Sequence, residues 1–139
     1  MSAFRRKNIE NIETAPKQAS TAFNVGEFVQ WNGTGEVEPL EPTSPVAGLC
    51  LEKISSTDED YASERQIHLD LSIESNDRFI MSVGTGTATA NMIGSTFDVD
   101  GSDAGALDVS GAGTQFTITQ FFSATSVEVK VAKYEVDAE

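Results

Sequence analysis

Ile67, Leu69, Leu71 and Ile73 alternate without exception with Gln66, His68, Asp70, Ser72 and Glu74. A strict period of two over nine residues puts the apolar side chains on one face of a strand and the polar ones on the other. A helix would spread the same residues around its surface, so this segment requires a sheet with one buried and one wet face. The pattern returns near the C-terminus. Phe116, Ile118 and Gln120 alternate with Thr117, Thr119 and Phe121, and Val127, Val129 and Val131 alternate with Glu128, Lys130 and Ala132. Ser123-Ala-Thr125 between them reads as a hairpin turn.

Other segments agree with a sheet protein. Gly26–Trp31 reads as a strand with Phe28 on one face and Val29 and Trp31 on the other, and Asn32-Gly33 as a turn tolerant of positive φ. Pro39, Pro42 and Pro45 exclude a central strand and suggest an extended surface crossing. Val46–Ile54 is apolar enough for a core strand, and Ser55–Ser63, with Asp58-Glu59-Asp60, is a solvated loop. Ser75-Asn-Asp77 should turn the chain so that Arg78–Val83 returns as an antiparallel partner of Ile67–Ile73. Thr87–Ile93 fits either a strand or one helical turn. Ser95–Asp100 is a short strand, and glycine-rich 101–113 a long loop with room for a short strand at Leu107–Val109. No helix longer than two turns is indicated. Short strands separated by turns predict an all-β fold, a small β-barrel or β-sandwich (β-tulip-like) body with an extended N-terminal arm.

Charge divides the chain the same way. Residues 1–20 carry Arg5, Arg6, Lys7 and Lys17 against Glu10 and Glu13, whereas the remainder carries five basic and 20 acidic residues. A polar, basic leader buries too little apolar surface to fold alone, so residues 1–22 are expected to be a flexible basic arm and 23–139 a single β-rich body. A net charge of −13 disfavours nucleic acid as a partner. No apolar stretch is long enough for a bilayer and no signal-peptide core follows the basic residues, so neither a membrane nor export is expected.

Catalytic motifs are missing from this reading. His68 and Asp70 share a strand face, but no motif-marked nucleophile accompanies them, and a solvent or interface histidine is the plainer assignment. Cys50 lies in the apolar run Val46–Leu51, as a small buried thiol would. Asp98, Asp100 and Asp103 alternate as calcium ligands can, yet the glycine comes too early and no glutamate closes the loop; an Asp-rich turn accounts for them. Gly84-Thr-Gly86 and Gly111-Ala-Gly113 lack the lysine and strand–helix setting of a phosphate loop, and no Cys/His set has zinc spacing. Neither an enzyme nor a cofactor is expected. The N-terminal anchors Phe4, Ile9 and Ile12 suit strand addition or groove filling on a partner.

The segment Phe28-Val-Gln-Trp31-Asn-Gly-Thr34, the proline-containing crossing and Val46-Ala47-Gly48-Leu49 together resemble the head decoration (cement or auxiliary capsid) proteins of tailed bacteriophages. Ile93-Gly94-x-x-Phe97-Asp98-Val99, Phe116-Thr-Ile-Thr119 and Val127-Glu-Val-Lys-Val131 are similar to the closing strands of the same group. The resemblance spans residues 23–134 and departs from lambda-type members in its longer β-rich C-terminal half. It implies a homotrimer on three-fold or quasi-three-fold positions of the outer capsid surface, made in the bacterial host cytoplasm, with the major capsid protein as partner. On that reading Phe4, Arg5, Arg6, Lys7, Ile9 and Ile12 are the expected shell contacts, and Phe28 and Trp31 anchor the core or a subunit interface. The alternatives are a tail-tube, connector or fibre-base β-barrel, and an acidic carbohydrate- or calcium-binding β-module.

Overall fold

The computed structural model describes residues 3–5, 12–71, 73–74 and 76–135. They form eleven strands and one 3-10 turn, η1 (Ala90–Met92). Five strands, β7 (Phe79–Thr85), β8 (Thr96–Asp100), β9 (Asp103–Asp108), β10 (Phe116–Ser123) and β11 (Ser126–Val131), make a closed barrel in the order β7-β11-β10-β8-β9. Its neighbours are antiparallel except at the closure, where β9 lies parallel to β7 and Ser82 pairs with Ala106. β1 (Ala3–Arg5) pairs with the first half of β7, in the order Ala3 to Met81, Phe4 to Ile80, Arg5 to Phe79.

The second sheet runs β2-β6-β5-β3-β4, with β2 (Ile12–Pro16), β3 (Phe28–Trp31), β4 (Val37–Pro39), β5 (Gly48–Cys50) and β6 (Gln66–Asp70). Its two ends curl together at a parallel bridge between Lys17 and Val37, where the Gln18 amide donates to the Val37 carbonyl at 2.9 Å. Each sheet thus has its own interior. Phe79, Met81, Val99, Leu107, Phe116, Ile118, Val127 and Val129 fill the barrel. Ala15, Phe23, Val29, Val37, Cys50, Ile54, Ile67 and Leu69 fill the second sheet.

β3 and β5 lie between these interiors. Phe28 and Leu49 join the barrel core while Val29 and Cys50 join the other. Burial on both faces explains why Phe28-Val29 and Val46–Leu51 read as continuous apolar runs, where β6, wet on one face, alternates. The Cys50 thiol donates to the Glu52 carbonyl at 3.0 Å, and burial pushes its pKa up to about 11.

The β10–β11 hairpin, the Asn32 turn and the opposite faces of Phe28 and Val29 match the sequence reading. In the turn, Asn32 Oδ1 accepts the Thr34 amide (2.9 Å) and hydroxyl (2.7 Å), and Gly33 takes φ +89°. Three expectations need correction. β7 does not return on β6: β6 pairs with β2 and β5, whereas β7 pairs with β1, β11 and β9. The alternation continues past β6, but Leu71 packs on the second core and Ile73 enters the barrel core, so the chain crosses between sheets there. The glycine-rich loop contains a full barrel strand, β9, whose Ala104, Gly105, Ala106 and Leu107 are all buried. Small residues suit it: a Cβ on neighbouring Gly84 would already stand 3.0 Å from the Ala106 methyl. Lastly, within residues 1–22 Ala3–Arg5 and Ile12–Pro16 are edge strands of the body, extended as expected but paired, with Ala3, Ala15 and Lys17 buried.

Candidate functional site

The expected shell contacts fall on two sheet edges. Phe4 alternates with buried Ala3 on β1 and is 54% exposed, and Ile12 opens β2 at 59% exposure. Arg5 ends β1 opposite Phe79, while Arg6, Lys7 and Ile9 lie outside the described residues. The fold therefore brings Phe4 and Ile12 to different sheets. Phe28 is completely buried, edge-on to Phe79 (centroids 5.3 Å apart, 76°) and tilted against Phe116 (4.9 Å). Trp31 packs half-buried on the second core, and its buried indole Nε1 finds no acceptor among the described residues.

Lys17 belongs to the basic arm by sequence, yet its side chain is fully buried. Nζ donates to the carbonyls of Tyr61 (2.7 Å) and Ser63 (2.6 Å) and stands 5.8 Å from the Tyr61 ring centroid. Burial lowers its pKa, partly opposed by Asp60. The lysine thus pins the acidic 55–65 loop onto the second sheet, a role that depends on residues over forty positions away and leaves no local signal.

The carboxylates of Asp98, Asp100 and Asp103 are each taken up by hydrogen bonds from the protein, some local and some from neighbouring segments. Asp98 Oδ1 accepts the Thr114 (2.8 Å) and Gln115 (3.2 Å) amides; Asp100 accepts the Thr85 hydroxyl (2.5 Å) and the Ser102 amide and hydroxyl; Asp103 accepts the Gly105 amide. The Thr85 hydroxyl and the Ser102 donors hold the Asp100 carboxyl below its usual range. No group of three His, Cys, Asp or Glu among the described residues is placed to share a metal ion.

His68 is exposed as expected, but Asp70 is buried and the imidazole Nδ1 instead lies 3.0 Å from Glu52 Oε1. Glu52 Oε2 receives Arg65 at 2.6 Å, and Arg65 also pairs with Asp60. Burial alone would raise the Glu52 carboxyl, but the hydrogen bonds from Arg65 and His68 outweigh it and hold the pKa at about 2. The folded value lies below the ordinary 4.5, so this cluster stabilises the fold above pH 4.5 and loses that contribution as pH falls toward 2. After solvent screening the contribution is about 2 kcal/mol. Urea unfolding of Glu52→Gln should show this deficit at neutral pH and converge with the wild type near pH 2; parallel curves at all pH values would contradict the assignment.

A hollow of about 280 Å³ opens where the second sheet meets the barrel, lined by Glu27, Glu38, Glu41 and Asp103 with Leu40 and Ala104. Burial raises the Glu27 carboxyl, the Asn24 amide opposes this, and Asp103 adds to it. The hollow is thus acidic and open to solvent. No helix among the described residues is long and apolar enough to cross a membrane. No model of a known protein family matches the chain, and no curated protein matches it either.

Proposed function

We propose that the chain is a non-enzymatic structural protein of a tailed-phage virion that binds the major capsid protein lattice at three-fold positions and stabilises the mature shell. The observation that carries this reading is the N-terminal segment, which supplies an edge strand to each sheet and leaves Phe4 and Ile12 more than half exposed on an all-β body. Exposed apolar anchors on edge strands suit contact with a second protein surface. Several copies in one assembly raise the effective concentration of each contact, so individually weak anchors combine into tight attachment.

Removing residues 1–20 would strip Ala3, Ala15 and Lys17 from their buried positions, so the test uses point changes at the exposed anchors. The full chain should co-sediment with expanded heads assembled from the major capsid protein encoded in the same genome. Phe4→Asp combined with Ile12→Asp should weaken that binding at least about tenfold, since truncating a hot-spot anchor costs 2 kcal/mol or more, with the melting temperature unchanged. Undiminished binding by the double variant would remove these anchors, and no binding by the full chain would remove the reading.

A further inference from the structure

Residues 81–97 and 109–127 contain none of the chain's 22 acidic and 9 basic residues. At the chain's average of 22% charged, two stretches of that combined length would carry about eight. They are far apart in sequence but meet at one end of the barrel. The Ala88 amide donates to the Ala124 carbonyl at 3.0 Å, Val83 to Thr125 at 2.9 Å, Gly94 to Ile118 at 2.8 Å, Gly113 to Thr96 at 2.9 Å, and Val109 to Thr85 at 2.9 Å. These bonds tie the loop around η1, the 109–113 loop and the β10–β11 tip into one ordered surface whose charges are confined to one border, where the Asp108 carboxylate accepts the Ser110 amide and hydroxyl and Asp98 the Thr114 amide. Ile93 is 51% exposed on it and Phe122 41%, while Met92 and Phe121 are half-buried against the core beneath.

We infer that this barrel end is the surface through which copies of this chain associate. The partner's charge decides the occupant. Two bodies of charge −13 repel wherever acidic faces approach, and that cost is least where the meeting faces carry the fewest charges, here Asp98 and Asp108 at one border, both already taken up by loop amides. A partner recruited by opposite charge would use the acidic faces, such as the Glu27–Glu38–Glu41–Asp103 hollow, and gain nothing at this end. Exposed Ile93 and Phe122 supply the apolar anchors such a contact needs. The inference rests on the proposed virion reading only for the expectation that copies associate, and it gives that association a surface.

Sedimentation velocity on the full chain across micromolar concentrations tests it. The expected result is a concentration-dependent oligomer that tightens with added salt, because salt screens the repulsion between acidic copies. Ile93→Asp, and separately Phe122→Asp, should each weaken association about 30-fold or more. Val25→Asp, at an exposed position outside the uncharged stretches, should leave it intact. In the unmodified chain, amide exchange in 88–94 and 118–124 should slow as the oligomer forms, a readout independent of how the variants fold. A monomer at every concentration overturns the inference, as does an oligomer in which both variants associate normally and exchange at the barrel end is unchanged. An intact oligomer that fails to bind heads would overturn the capsid reading and leave this surface standing.

Discussion

Phe28→Ala is expected to lower stability by about 4 kcal/mol, within the range for emptying a fully buried aromatic site. For a chain of this length that is a drop of roughly 10–15 °C in melting temperature. Phe28 has no exposed surface and touches Phe79 on β7 and Phe116 on β10, the two barrel strands that flank β11. It is carried by β3, which belongs to the second sheet. The missing ring therefore leaves a cavity at the seam, where relaxation would require both sheets to move. Tilted and edge-on aromatic pairs add to simple area burial, and both are lost together. Phe4→Ala is the matched control: the same side-chain change on an exposed site should stay within about 0.5 kcal/mol. A Phe28→Ala loss below about 1.5 kcal/mol would mean that the seam closes over the gap.

The strands that were legible in the sequence are those with one wet face. β6, β10 and β11 alternate because solvent takes every second side chain, and their positions and the last hairpin follow from that alone. Most of β9 is hidden because three of its four buried residues are alanine or glycine, which composition assigns to loops; only the crowding beside Gly84 makes them the right size. The pairing of β6 is not legible because Ile73 keeps the alternation going while it changes cores, and periodicity does not report which core a side chain enters. The same limit applies to the candidate surfaces. Lys17 counts as a surface charge until the 55–65 loop closes over it, and Glu52 becomes a partner of His68 and Arg65 only through the register of β5 on β6. The uncharged stretches were visible as composition, but their convergence at one barrel end required the topology.

Gln115→Leu should cost about 3 kcal/mol although it preserves volume and adds apolar surface, because the effect comes from hydrogen bonds. The side chain is completely buried between the barrel and the proline crossing. Nε2 donates to the carbonyls of Glu41 and Ser44, each at 2.7 Å, and Oε1 accepts the Val99 amide at 2.8 Å. Leucine leaves one donor and two acceptors without their partner, and each such orphan costs about 1–3 kcal/mol when water cannot reach it. The two carbonyls lie on the connection from β4 to β5, whereas Val99 lies on β8, so one amide group joins the two sheets. Gln115→Glu separates the contributions: it keeps the acceptor for Val99 but at neutral pH places a carboxylate against two carbonyls, so it should be worse than leucine there and recover part of the loss in acid. Amide exchange in residues 41–44 should rise in both variants before global unfolding, because this part of the crossing loses one of its ties while Val46 stays bonded to Lys133 and the barrel keeps its ladder. A leucine variant within 1 kcal/mol of the wild type, with unchanged exchange in that segment, would place the coupling between the sheets in the Phe28 and Leu49 contacts and the Val46–Tyr134 bridge instead.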